Sequence, residues 1–137
     1  MTNPNVALVY EVLVAYQQGD EEKLRERMNP DAETYGGPDI VNAGTYHGFE
    51  GFQRWVREWE EAWEEISYEL GELIEVDESI LVATVNVVGR GAGSGVETDS
   101  VFGWLWEWRD GRATRFQVHA TVEDAVDAAR EMAAERA

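Results

Sequence analysis

The stretch from Val101 to Ala120, VFGWLWEWRDGRATRFQVHA, constrains the fold more than any other part of the chain. Two runs rich in aromatic and β-branched residues flank Asp110-Gly111, a dipeptide that favours the positive backbone angles of a type I′ turn. A two-residue turn fixes the register of a β-hairpin, so Arg109 is predicted to pair with Arg112. The chain is therefore expected to contain an antiparallel hairpin that carries three of its six tryptophans.

This register assigns the hairpin residues to two faces. The predicted pairs on one face are Trp108 with Ala113, Trp106 with Arg115, Trp104 with Gln117 and Phe102 with His119. The predicted pairs on the other face are Leu105 with Phe116, Gly103 with Val118 and Val101 with Ala120. The second face is apolar and suits a core. The first combines indoles with an imidazole, an amide and a guanidinium, a composition typical of a small-molecule pocket or a subunit interface.

The composition narrows the class of protein. At 137 residues, with 44% hydrophobic residues and three prolines, the chain is predicted to form a single domain over residues 1–137. Eleven basic and 28 acidic residues give a net charge of −17, which disfavours nucleic acid and anionic membrane surfaces as partners. The sequence shows no membrane span and no secretory signal pattern, so we expect a cytoplasmic protein. The absence of cysteine excludes disulfides, thiolate metal sites and a cysteine nucleophile.

Hydrophobic periodicity predicts the remaining elements. Helices are predicted over 6–18, 20–30, 49–66 and 121–132. Strands are predicted over 31–36, 67–76, 79–90 and 96–108, followed by the second strand of the hairpin. The segment 37–48 is predicted to be a loop that could close over a pocket. The expected order is helix, helix, strand, helix, four strands and a terminal helix.

The longest predicted helix has an aromatic face. Phe52, Trp55, Trp59 and Trp63 recur at helical spacing. Packing against a sheet explains most of such a stripe, but each buried indole N–H also needs a hydrogen-bond partner. A polar-lined cavity would supply those partners.

The order of elements, together with several short motifs, resembles the SnoaL-like proteins of the nuclear transport factor two-like superfamily. The motifs are Gly19-Asp20, Pro30-Asp31-Ala32, the run from Tyr46 to Gly51, Gly93-Ser94-Gly95 with Glu97, the run from Trp106 to Arg112, Arg115, and Glu123-Asp124-Ala125. The resemblance spans nearly the whole chain. It implies an α+β fold in which a curved, mostly antiparallel sheet wraps around N-terminal helices as a cone or barrel, with a C-terminal helix.

The resemblance implies small-molecule chemistry, but this chain lacks the known catalytic groups of the superfamily at the corresponding positions. The superfamily includes steroid isomerases, polyketide cyclases, dehydratases and epoxide hydrolases beside non-catalytic binding proteins. The base of the steroid isomerases would fall at Gly36 or Gly37, and their helix-one tyrosine near Val12. The aspartate of the SnoaL-type cyclases would fall near Thr121. None of these residues can take the corresponding role.

His119 is then the leading candidate for an acid or base, because imidazole titrates near neutral pH. Asp31 could orient it or cap the preceding turn. Arg115 could hold an anionic or carbonyl group, or stack on Trp106. The other predicted ligand contacts are Tyr10, Tyr35, Trp55, Trp59, Trp104, Trp106 and Gln117. No metal and no cofactor are expected, since the two histidines lack the spacing of a ligand pair.

Two functions stay open at this point. The chain could bind a small apolar, oxygen-bearing molecule in an aromatic cavity, with cofactor-free isomerase, cyclase or dehydratase chemistry. Alternatively, it could be a non-catalytic binding or assembly module in which the aromatic hairpin face forms a homodimer. Trp104, Trp106, Gln117 and His119 should line a cavity in the first case and a subunit contact in the second. An interior filled completely by indoles would instead indicate a structural protein without a ligand.

Overall fold

Four helices and six strands make up the part of the chain that the computed structural model describes, residues 3–136. Met1, Thr2 and Ala137 of the predicted domain lie outside the described residues. The helices are α1 (Pro4–Gln18), α2 (Glu21–Arg27), α3 (Gly48–Glu61) and α4 (Val122–Arg136). The strands are β1 (Met28–Gly36), β2 (Gly44–His47), β3 (Trp63–Asp77), β4 (Ile80–Gly91), β5 (Glu97–Arg109) and β6 (Arg112–His119).

The strands form one curved sheet in the order β2-β1-β6-β5-β4-β3. Every neighbouring pair is antiparallel except β1 and β6, which run parallel. Helices α1 to α3 pack on the inner face, defined as the face that carries Trp104, Trp106 and Phe116. Helix α4 packs on the outer face, which carries Val82 and Leu105. The α+β cone implied by the resemblance is confirmed.

The larger core lies between α1, α3 and the inner face. Helix α1 buries Val9 and Val12, and helix α3 buries Trp55 and Trp59, all of them at most 3% exposed. The rings of Trp55 and Trp59 stack with their centroids 5.5 Å apart. The predicted aromatic stripe is therefore first of all a packing surface.

Helix α4 forms a second, smaller core on the outer face. It places Ala125, Ala129 and Met132 against Ile80, Val82 and Leu105. Gly103 permits this approach, because a Cβ there would lie 2.5 Å from the Cβ of Ala125 and 3.0 Å from the carbonyl oxygen of Thr121. The side-chain oxygen of Thr121 accepts the backbone N–H of Asp124 at 3.1 Å, which is the predicted N-terminal cap.

Several element boundaries differ from the prediction. Helix α2 ends at Arg27 rather than at residue 30, and β1 begins at Met28, because Met28 already pairs with Ala113 of β6. Helix α3 ends at Glu61, and Trp63 and Ile66 belong to β3. The predicted helix was too long because the side chains of Trp63 and Ile66 pack against the same core from the strand, so their spacing resembles another helical turn. The segment predicted as a loop contains β2, which pairs with the end of β1. A four-residue strand with alternately exposed side chains carries too little hydrophobic pattern to be recognised.

The tip of the hairpin follows the prediction. Asp110 and Gly111 have φ values of 52° and 79°, as a type I′ turn requires. Arg109 pairs with Arg112, as predicted. Farther from the turn, a β-bulge at Thr114 adds one residue to β6 and shifts the register by one.

Beyond the bulge, each side chain of β6 lies on the face of the sheet opposite to the one predicted. The predicted pairs of Arg115, Phe116, Gln117, Val118 and His119 are therefore wrong. The observed pairs are Glu107 with Arg115, Trp106 with Phe116, Leu105 with Gln117, Trp104 with Val118 and Gly103 with His119. Phe116 and Val118 join the indoles on the inner face, while Arg115, Gln117 and His119 lie on the outer face. The Thr114 hydroxyl donates to the Glu107 carboxylate at 2.6 Å, which helps satisfy a side chain that is buried in the sheet.

Candidate functional site

A small cavity lies between α1, α3 and the inner face of the sheet. It is lined by Val12, Leu13 and Tyr16 of α1, by Phe52, Val56 and Trp59 of α3, and by Trp104, Trp106 and Phe116 of the hairpin. Its volume is about 20 Å³, which is room for one water molecule. A larger ligand can therefore enter only if the walls of the cavity move.

Two of the three tryptophans that line this cavity have indole N–H groups without an acceptor among the described residues. Trp104 and Trp106 line it and are 4% and 1% exposed. Their Nε1 atoms, and those of Trp55, Trp63 and Trp108, have no hydrogen-bond partner among the described residues. A buried donor without an acceptor costs about 1–3 kcal/mol. An oxygen brought by a ligand or a water molecule would remove this cost.

The side of the cavity formed by Tyr16 is polar. Nε1 of Trp59 donates to the Tyr68 hydroxyl at 2.8 Å, and the hydroxyls of Tyr16 and Tyr68 lie 3.1 Å apart. Tyr16 donates to the Glu60 carboxylate at 3.2 Å, so the proton between the two phenols comes from Tyr68. These four residues, the tyrosine chain, connect a buried indole to an exposed carboxylate.

Burial raises the pKa of both phenols in the tyrosine chain. For Tyr16, desolvation is the largest cause, and the nearby Tyr68 hydroxyl and Glu60 carboxylate raise the pKa further. For Tyr68, desolvation is the largest cause and raises the pKa, and it outweighs the lowering by the hydrogen-bonded contacts with Tyr16 and Trp59. Both phenols therefore stay protonated at neutral pH and serve as neutral hydrogen-bonding groups.

The tyrosine chain was missed in the sequence because Tyr16 and Tyr68 are 52 residues apart and meet only through the curvature of the sheet. One signal was available. Tyr16 continues the helical spacing of Val9 and Val12, so it belongs to the buried face of α1.

Several predicted ligand contacts do surround the cavity. Trp59, Trp104 and Trp106 line it, and Trp55 stacks on Trp59 beside it. Tyr10 lies elsewhere, because it is 46% exposed on α1 and is not part of the lining.

His119, Gln117, Arg115 and Tyr35 come together on the outer face instead. Nε2 of His119 lies 2.9 Å from Oε1 of Gln117, and the ring centroids of His119 and Tyr35 are 5.8 Å apart. Arg115 lies 3.6 Å from the Glu107 carboxylate rather than over an indole. The sheet separates these residues from the cavity, so the predicted placement of His119 beside the indoles is wrong, and the bulge is the reason.

His119 is a buried imidazole. Burial lowers its pKa, and the carboxylate of Asp124 in α4 opposes that shift. A Cβ on Gly37 would lie 3.4 Å from Nδ1, so the imidazole fits between β1, β6 and the start of α4. Asp31, which was expected to orient it, is exposed at the start of β1, where its N–H donates to Asn29 at 2.8 Å.

Residues 3–136 contain no group of three or more histidine, aspartate or glutamate side chains placed to hold a metal ion. None of the helices within that range is both long and apolar enough to cross a membrane. The lining of the inner cavity consists of one tyrosine, three tryptophans, two phenylalanines and three aliphatic residues.

The sequence matches one domain family. The profile of the SnoaL-like domain matches residues 9–116, a range that includes every residue of the cavity lining. No curated protein matches the sequence.

Solved structures show the same fold. A nuclear transport factor two-like protein of unknown function from Burkholderia pseudomallei is 22% identical, with a TM-score of 0.74 over 93% of this chain and 97% of that chain. TerC, crystallised with polyporic acid, is 19% identical, with a TM-score of 0.73 over 90% and 98%. A provisionally assigned SnoaL-like polyketide cyclase from Jannaschia is 17% identical, with a TM-score of 0.73 over 92% and 91%. These structural likenesses concern the fold, and the profile match concerns the sequence itself. The profile match shows that the chain belongs to the SnoaL-like domain family, and the structural likenesses show that it has the nuclear transport factor two-like fold.

Proposed function

We propose that the chain binds a small, largely apolar molecule that carries an oxygen able to accept hydrogen bonds, in the cavity between α1, α3 and the sheet. The observation that carries this proposal is the set of buried indole N–H groups without partners, two of them on side chains of the lining. A carbonyl or hydroxyl oxygen would accept from these donors, and the aromatic lining suits the rest of such a molecule.

Binding requires the cavity to enlarge, and α1 is the element built to move. Besides its buried apolar residues, α1 is held by polar contacts at its two ends and, in its middle, by ion pairs of Glu11 with Lys23 and Arg27 of α2 at 3.1 and 3.2 Å. Asn3 and Asn5 donate to the backbone oxygen of Glu78 at 2.8 and 2.9 Å, and Tyr16 donates to Glu60. A helix attached in this way can shift while the strands of the sheet stay paired.

The catalytic form of this function is cofactor-free acid–base chemistry, such as isomerisation, cyclisation or dehydration. A phenol that stays protonated can donate to a carbonyl oxygen on which negative charge develops. Tyr16 would then exchange the Glu60 carboxylate for the ligand oxygen as its acceptor. The neighbour from Jannaschia supports an oxygen-bearing ligand, since that protein is provisionally assigned as a polyketide cyclase.

Catalytic roles for His119 and Asp31 are a separate proposal, because the sheet lies between His119 and the cavity. His119→Asn would abolish turnover and keep ligand affinity if the imidazole transfers a proton. Retained turnover in His119→Asn would remove His119 from the mechanism.

The test of binding compares two ligands that differ by one oxygen-bearing group, acetylnaphthalene and naphthalene. A ligand of the folded state raises the melting temperature, and we expect acetylnaphthalene to raise it more. Trp104→Phe and Trp106→Phe each remove one N–H and keep an aromatic ring. Each should lower the affinity for acetylnaphthalene relative to naphthalene about fivefold, as the loss of one hydrogen bond predicts.

Tyr10→Phe is the matched control, since Tyr10 lies outside the lining. Steroid, terpenoid and polyaromatic ketones extend the ligand series. If none of them changes the melting temperature, the indoles serve packing alone and the proposal fails.

A homodimer is the second proposal, and the outer face carries it. Tyr35, Arg115 and Gln117 are half-buried there on β1 and β6, whereas α4 packs mainly on β4 and β5. We expect a particle of twice the chain mass of 15.5 kDa in light scattering, and dissociation on Arg115→Glu. A monomer at high concentration would refute the dimer.

We also propose a cytoplasmic location, to be tested by cell fractionation.

A further inference from the structure

We infer that the surface groove between α2 and α3 is the entrance to the cavity, that Tyr16 is its gate, and that Glu60 holds the gate closed. The inference rests on the proposed function, and it adds the route of the ligand and its charge.

The groove and the cavity share three lining side chains. The groove has a volume of about 390 Å³, and Leu24 and Phe49 form part of its apolar surface. Tyr16, Phe52 and Val56 line both the groove and the cavity. Movement of one of these side chains would join the two hollows into a single channel.

Tyr16 is the member of this partition that can move. Phe52 is 4% exposed and is fixed between two rings, with centroid distances of 5.9 Å to Phe49 and 6.1 Å to Phe116. Tyr16 lies in the last turn of α1, which ends at Gly19 with a φ of 68°. A side chain at the end of a helix can swing out with less disturbance of the core than one fixed between rings.

Hydrogen bonds of the tyrosine chain hold the gate. The Tyr16 hydroxyl contacts Tyr68 of β3 and Glu60 of α3. Glu60 is exposed in the last turn of α3, so its bond to Tyr16 ties α1 to α3 at the edge of the groove. Loss of this bond would favour the open position of Tyr16.

The charges along the route select a neutral ligand. The charged side chains of the groove are Glu21, Arg57 and Glu60, and the cavity lining has none. An anion would meet two carboxylates and one guanidinium on a chain of net charge −17, and would then lose its hydration in a cavity without a cation. The ligand is therefore an uncharged ketone or alcohol rather than a carboxylate.

The experiment measures the association rate of acetylnaphthalene by stopped-flow tryptophan fluorescence. Glu60→Ala and Tyr16→Phe each remove the bond that holds the gate, and each should raise the association rate constant about fivefold. Glu61→Ala is the matched control, because it removes the same charge from a neighbouring exposed residue and should leave the rate unchanged. Val56→Trp fills the partition and should slow association. Its urea unfolding curve shows whether the variant is folded.

A second arm compares acetylnaphthalene with naphthoic acid at neutral pH, and the acid should bind at least about tenfold more weakly because its charge must be desolvated. Equal affinities would overturn the charge selection. Wild-type association rates in both Glu60→Ala and Tyr16→Phe, with the ketone still bound, would overturn the entrance and leave the proposed function intact. Failure of the wild-type chain to bind the ketone would refute both.

Discussion

The ring of Trp106 stacks on the ring of Phe116, with their centroids 4.3 Å apart and 28° between the planes. The pair exists because Thr114 is an extra residue in β6. Without it, Trp106 would face Arg115. Both rings line the cavity, so a single bulge determines the composition of the candidate site.

Phe116→Ala should destabilise the chain by about 3–5 kcal/mol, because a core ring is removed and a cavity is left behind. Phe116 is 3% exposed, and besides Trp106 its ring meets Phe52, Trp55 and Trp104. Urea unfolding followed by tryptophan fluorescence measures the loss. Tyr10→Ala, at a side chain that is 46% exposed, should cost under about 1 kcal/mol. Similar losses in the two variants would contradict the central position of Phe116.

His119 should make the folded chain sensitive to mild acid. Burial lowers the pKa of its imidazole, so as the pH falls the unfolded chain takes up this proton first. The stability that His119 contributes is complete above about pH 6.5 and is lost as the pH falls from there through the pKa of the folded state. We expect the urea midpoint to fall between about pH 7.5 and pH 5.5, and to fall less in His119→Gln. His47→Gln, at an exposed histidine, should keep the wild-type pH dependence. Parallel curves for wild type and His119→Gln would remove His119 from this effect.

Tyr16 and Tyr68 should stay un-ionised for as long as the chain is folded. Burial raises the pKa of both phenols above the ordinary value of about 10. The unfolded chain therefore loses these protons first, and the stability they contribute falls as the pH rises above about 10. In an alkaline titration, part of the phenolate absorbance of the five tyrosines should appear only together with unfolding. Tyr16→Phe and Tyr68→Phe should each reduce that late step, and its persistence in both variants would show that other tyrosines cause it.

Gly103→Ala should loosen α4. The new Cβ would lie 3.0 Å from the Thr121 carbonyl oxygen and 3.0 Å from the Cα of Val122, and these backbone atoms cannot move unless the helix shifts. We expect a loss of about 1–3 kcal/mol in urea unfolding and faster proteolysis within α4. Gly37→Ala is the control, since its nearest contact would be an ordinary 3.4 Å to His119. Equal stability of the two variants would show that α4 adapts to the added methyl group.

The sequence was informative wherever a local signal determines the structure. Asp110-Gly111 specifies its turn through backbone angles alone, and the cap formed by Thr121 and Asp124 depends on residues three apart. The fold as a whole was accessible through the order of the elements and the family motifs. These features do not depend on which face of a strand points inward.

The candidate site was harder to predict from the sequence, because its composition depends on which face of each strand points inward. Ala113-Thr114-Arg115 continues the hairpin without a local sign of a bulge, and the partner that stabilises the bulge, Glu107, lies on the opposite strand. An error of one residue moved every later side chain of β6 to the wrong face, His119 included. The three indoles of β5 lie on one face, as the alternation along their own strand predicts, since the bulge does not change that alternation.

The parallel pairing of β1 with β6 has a consequence for synthesis on the ribosome. The first strand finds its longest neighbour in the last strand, so β1 stays without that neighbour until the C-terminal hairpin has been translated. Helices α1 and α3 also lack the inner surface of β5 and β6 until then. The nascent N-terminal half therefore leaves Trp55 and Trp59 uncovered until β5 and β6 have been translated, and exposed apolar surface of this kind favours aggregation during synthesis.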